Sequence, residues 1–81
     1  MSTDFGDRLD VCARFSRGEV TPLWFSWRGR KYEVEKITYT WEERRGRSVL
    51  KHFSVTDGAT LFEIGYDSEK LDWTLLGMYS D

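Results

Sequence analysis

Apolar residues in this chain recur at every second position, segment after segment, without the three-to-four spacing of a helix face. A strand presents opposite faces at successive residues, so this pattern confines the chain to half-buried strands around one core. In the first segment Leu9, Val11, Ala13 and Phe15 share one face, and Asp10, Arg14 and Ser16 take the other. Arg17-Gly18-Glu19 turns the chain. Pro22, lacking an N–H, marks a strand start, an edge or a bulge. Leu23, Phe25 and Trp27 then alternate with Trp24, Ser26 and Arg28. Arg28-Gly29 predicts a tight hairpin, because glycine accepts the positive φ such turns need.

In the third segment the apolar residues change phase. Tyr32 and Val34 are even, whereas Ile37, Tyr39 and Trp41 are odd. A β-bulge near Glu35-Lys36 absorbs such a slip, bends a long third strand and keeps Tyr32, Val34, Ile37 and Tyr39 all facing inward. Glu42 to Arg47 is a charged loop, and Val49, Phe53 and Val55 are the inner set of a fourth strand. Asp57-Gly58 predicts a hairpin leading to a fifth strand lined by Phe62, Ile64 and Tyr66. After a polar turn at Asp67 to Asp72, the sixth strand alternates Trp73, Leu75 and Tyr79 and adds Leu76 and Met78. Apolar residues on both of its faces indicate burial on two sides or an interface. The expected fold is all-β: a small six-stranded antiparallel barrel or rolled sheet, SH3-like, with at most one short helical turn near Asp67–Leu71.

With 81 residues there is material for one core. Residues 9–81 are read as a single β-barrel domain and residues 1–8 as a flexible tail. Four Trp, four Tyr and five Phe supply the apolar area that a chain this short otherwise lacks. Cys12 is the only cysteine, which forbids an intrachain disulfide and suits a reducing compartment. No stretch approaches the roughly 20 apolar residues of a membrane span, and the acidic, polar start does not resemble a secretory leader. The expected location is the cytoplasm.

The chain offers little for catalysis. His52 is the only histidine, so a histidine-based metal cluster is impossible, and one Cys with one His is a poor zinc set. A Cys12/His52 nucleophile–base pair is conceivable, but Cys12 lies mid-strand, where a free cysteine acts as a small hydrophobe. Phosphate-binding loops, dinucleotide fingerprints and nucleophile elbows are all lacking. The expectation is no enzyme, no catalytic residues, no metal and no cofactor.

Net charge is −2, yet residues 28–51 hold eight basic groups against four acidic ones. Arg28, Arg30 and Lys31 surround one predicted hairpin tip, and Arg44, Arg45 and Arg47 surround another. If both tips lie at one end of the barrel they form a cationic rim, suited to phosphate or to an acidic protein surface. The plainer reading is solubility together with cation–π packing on tryptophan. Trp27 and Trp41 are in phase with apolar neighbours and are assigned to the core. Trp24 is out of phase on its own strand and is the candidate exposed aromatic for binding.

The run Pro22-Leu23-Trp24-Phe25-Ser26-Trp27-Arg28-Gly29-Arg30-Lys31-Tyr32 contains a Phe-x-Trp-Arg-Gly-Arg-x-Tyr pattern. Trp41, His52-Phe53-Ser54-Val55, Asp57-Gly58, Leu61-Phe62-Glu63-Ile64 and a closing Trp73-Thr74-Leu75-Leu76-Gly77-Met78-Tyr79 follow in order. Together they resemble a small bacterial domain family of unknown function. It is similar to the C-terminal domain of the catalytically inactive, Y-family polymerase-like subunit of bacterial mutasomes. The resemblance implies a docking or recruitment role connected with DNA damage tolerance. The functional expectation is therefore a non-enzymatic interaction module that docks a protein partner. The alternative is a weak single-stranded nucleic-acid binder using Trp24, Arg28, Arg30, Lys31, Arg44, Arg45 and Arg47.

Overall fold

A computed structural model of the chain describes residues 6–80. It contains β1 (Arg8–Ser16), β2 (Glu19–Trp27), β3 (Arg30–Glu33), β4 (Lys36–Arg45), β5 (Ser48–Thr56), β6 (Thr60–Asp67) and β7 (Asp72–Ser80). All pairings are antiparallel, in the order β3-β2-β1-β7-β6-β5-β4, and the sheet curls into a half-barrel. There are seven strands where six are expected, because the long bent third strand is divided into β3 and β4. Its break falls at Val34 and Glu35, beside the predicted slip. The Val34 N–H donates to the Leu23 carbonyl on β2 (3.0 Å), and the Glu35 N–H donates to the Thr56 carbonyl on β5 (2.8 Å). Successive residues thus serve opposite margins of the sheet, and this corner rolls it up.

The core lies inside the curl. Phe25, Val55, Phe62, Ile64 and Leu75 are almost fully buried, joined by Leu9, Trp27, Phe53, Tyr66 and Trp73. Tyr32, Val34 and Ile37 pack against this cluster. Tyr32 stacks on Phe25 (5.4 Å between ring centroids) and meets Phe62 edge-on (5.0 Å), which anchors the four-residue β3. Each such ring pair adds roughly 0.5–1.5 kcal/mol beyond the area it buries.

Three further irregularities correct the expected alternation. Ile37 pairs with Val55 but Tyr39 pairs with Ser54, so Thr38 is an extra residue. Tyr39 is consequently 65% exposed and Trp41 lies outside the core cluster, although both are expected inside. On β2, Ala13 opposes Pro22 while Cys12 opposes Trp24, leaving Leu23 unpaired; Pro22 is buried in its place. On β7, Leu76 is the extra residue, and Tyr79 turns outward. In each case one inserted residue flips every side chain beyond it.

The predicted hairpins form. Arg17-Gly18 and Arg28-Gly29 both have positive φ at both positions, the turn whose twist matches paired strands. At the β5–β6 turn, Asp57 Oδ1 accepts from the Thr60 N–H (2.8 Å) and the Ala59 N–H (3.0 Å). These bonds hold the Asp57 carboxyl below its ordinary pKa. The corner closes here too, since a Cβ on Gly58 (φ 100°) would stand 2.7 Å from a Glu35 carboxylate oxygen.

Of the expected tail, residues 1–5 lie outside the described residues. Asp7 is held to the sheet: its carboxylate accepts from Trp27 Nε1 (2.8 Å), and its carbonyl accepts from the Leu75 N–H (2.8 Å). Arg8 opens β1. Among the described residues no helix is long and apolar enough to cross a membrane.

Candidate interaction surfaces

The two basic loops occupy opposite ends of the molecule. Arg30 is close enough to Asp57 for its charge to favour the carboxylate there, which places the β2–β3 hairpin toward the β5–β6 turn. The β4–β5 hairpin instead meets the β6–β7 turn, where Ser68 and Val49 exchange hydrogen bonds and Ser48 donates to Glu69. Asp57 and Ser68 bracket the whole of β6. The single cationic rim is therefore not formed.

Most of these cations are also engaged within the fold. The Arg28 guanidinium lies 4.7 Å from the centre of the Trp27 ring and 3.6 Å from Asp7. Arg30 reaches over Tyr32, and Lys31 stands 4.5 Å above Trp24. Trp24 does face outward, flanked by Cys12 and Glu33, but it is half-buried with one ring face under Lys31. Arg45 pairs with Glu43 at 3.0 Å and holds that carboxyl below its ordinary pKa. Arg44 lies near enough to Glu42 to help lower its pKa, after the larger effect of Lys51. Arg47 is exposed and forms no ion pair with any described residue.

On the outer face, Trp41 stacks on His52, with centroids 4.8 Å apart and planes within 6°. His52 Nε2 is 3.3 Å from Glu43 Oε1, and both ring nitrogens are buried. The imidazole lines a depression of about 330 Å³ with Leu50, Gly65, Leu76 and Arg45. Cys12 lies on β1, separated from β5 by β7 and β6, so the structure does not bring Cys12 and His52 together.

The core face shows the largest departure from a closed barrel. β1 pairs with β7 only through Arg8 and Leu9, and beyond them the β1–β2 hairpin leaves the rest of the sheet. β3 covers β2 only from Trp24 to Trp27, so the Glu19–Leu23 half of β2 has an uncovered edge apart from the bond at Leu23. Among the described residues β4 is paired on one side only, along its whole length. No Cα of β2 lies within 8 Å of a Cα of β4. Between these two edges runs a groove of about 390 Å³, lined by Val20, Thr21, Ile37, Thr40 and Phe53 with Glu42 and Lys51. At its mouth Phe15 is 60% exposed and leans on Tyr66 (5.7 Å).

No family model, curated protein or solved structure matches the chain. The residues that carry the resemblance noted above stand mainly at turns and in the core: Phe25, Trp27, Gly29, Phe53, Gly58, Ile64 and Leu75 among them.

Sequence reasoning passed over the groove. Its residues come from three strands remote in the chain, and Phe15 beside it reads simply as inward-facing. Only the parting of β1 from β7 and the unequal lengths of β2 and β3 open this side of the core. The one signal available was the brevity of the even-phase run Tyr32–Val34, too short to cover a nine-residue neighbour.

Proposed function

We propose that this chain is a non-enzymatic docking module of the cytoplasm whose ligand is another protein. The reading rests on the ten-residue free edge of β4, facing a groove of mixed polar and apolar lining and flanked by the exposed rings of Tyr39 and Phe15. A free strand edge beside apolar surface is a ready acceptor for another chain. The roll, turned at one corner by a strand path shared between its two margins, is read as an SH3-like barrel. The resemblance to the mutasome subunit supplies the setting, a recruitment step in DNA damage tolerance. The exposed free thiol of Cys12 suits a reducing compartment.

The alternative, a single-stranded nucleic-acid binder, draws its support from Arg47 and from the outward-facing Trp24. Affinity capture from source-cell extract, with and without nuclease, separates the two. The expected result is a protein retained after nuclease treatment that binds the purified domain directly. Capture that disappears with nuclease overturns the protein-docking reading.

A further inference from the structure

We propose that the groove between β2 and β4 takes an extended segment of the partner protein as an added strand along β4. That segment alternates small apolar with polar residues and carries acidic flanks. The inference rests on the docking reading and specifies its mode and chemistry.

Width is the first argument. Paired strands lie 4.7–4.9 Å apart. The edges of β2 and β4 are more than 8 Å apart, too far to pair with each other, so β4 keeps a free edge toward the groove. The β4 side of the groove, from Ile37 to Glu42, spans six residues, or about 20 Å.

The second argument is the alternation of the floor. Thr40 opposes Phe53, Glu42 opposes Lys51, and Arg44 opposes Val49. Cross-strand partners share a face, so Thr40, Glu42 and Arg44 all lie on the core side with the buried Phe53. A strand added to β4 points every second side chain onto Val20, Ile37 and Phe53, where apolar groups are favoured. Its other side chains point to solvent.

Charge fixes the flanks. Arg17 at the β1–β2 turn and Lys51 on the floor line the depression that opens from the groove, and Arg44 lies on the same face of β4. Of the carboxylates that line the groove, Glu42 is bound to Lys51 at 2.7 Å, which leaves Glu19 against Arg17 and Arg44. The mouth therefore favours carboxylates on the incoming chain. In this arrangement Arg44 serves without the β2–β3 loop, and Arg17 joins it.

The test uses two synthetic peptides with the same core of alternating valine and threonine, one flanked at both ends by glutamate pairs, the other by lysine pairs. Each is titrated into the isotopically labelled domain and followed through its backbone amides. The expected result is binding of the glutamate-flanked peptide, with shifts concentrated at Ile37–Glu42 and Val20–Thr21. Affinity should fall about tenfold for the lysine-flanked peptide and for Arg17→Gln combined with Arg44→Gln, and binding should weaken as salt rises.

Thr40→Asp, at an exposed position, sets a carboxylate in the groove and should abolish binding while leaving the amide dispersion of the folded domain intact. If that variant unfolds, Thr40→Lys takes its place, with the preference between the two peptides unchanged or reversed overturning the proposal. Equal binding of both peptides to the native domain, shifts confined to other surfaces, or no shifts at millimolar peptide also overturn it. A captured partner that binds Thr40→Asp as well as the native domain refutes the groove while leaving the docking reading intact.

Discussion

Arg17 adopts φ 54°, and it shares the left-handed region with Arg28 (φ 53°) and Leu71 (φ 58°). A side chain there crowds the following carbonyl, at a cost of about 1–2 kcal/mol relative to ordinary backbone, which asparagine and glycine largely escape. Arg28 recovers part of this by stacking on Trp27 and facing Asp7. Arg17 has neither contact among the described residues. Arg17→Asn is therefore expected to stabilise the domain by about 0.5–1 kcal/mol, raising Tm by roughly 2–8 °C in a domain of this size. Thermal unfolding followed by circular dichroism measures it, and an unchanged or lower Tm would mean that Arg17 makes a compensating contact. Because Arg17 also stands at the mouth of the groove, the same variant should bind the glutamate-flanked peptide more weakly. Stability and binding then move in opposite directions.

At the scale of the element, Thr38 decides where two aromatic rings go. As an extra residue against β5 it turns Ile37 inward and Tyr39 and Trp41 outward, and so sets Trp41 on His52. Deleting Thr38 would restore an unbroken ladder and force a choice between burying Ile37 and keeping Trp41 on His52. Losing the burial of a whole isoleucine costs about 1.5–3 kcal/mol, and Ile37 is partly buried, so the deletion variant should be destabilised by roughly 1–2 kcal/mol in urea unfolding. Stability equal to the native domain would show that the bulge has no structural role. The slip near Glu35-Lys36 was legible because the apolar set changed from even to odd. The one at Thr38 was not, because Ile37, Tyr39 and Trp41 keep a single phase in the sequence while the backbone between them gains a residue.

For the whole molecule, the placement of charge weighs more than its total. Net charge is −2, and the two basic loops stand at opposite ends of β6, about 25 Å apart. A single strand engaging one loop neutralises about two or three phosphates, giving a salt slope near −2. Tryptophan fluorescence should therefore show no micromolar binding of single-stranded DNA at physiological salt. Binding at that strength with a slope steeper than about −3 would mean the loops act together and would favour the nucleic-acid alternative.

What the sequence by itself determined is what alternation and turn chemistry encode locally. The all-β class, the hairpins at Arg17-Gly18, Arg28-Gly29 and Asp57-Gly58, the inward Phe25, Trp27, Phe62, Ile64 and Trp73, and the break beside Glu35 all follow from neighbours within a few positions. Tertiary structure alone decided which strands lie beside which. Phe15 reads like any inward residue until β1 parts from β7 after Leu9, and Arg44 reads like any loop cation until β4 becomes a free margin. Pairing depends on backbone edges and strand lengths meeting across the sheet, and those are satisfied only when distant segments come together. The groove exists because β3 is too short to cover β2, a mismatch that neither strand carries alone.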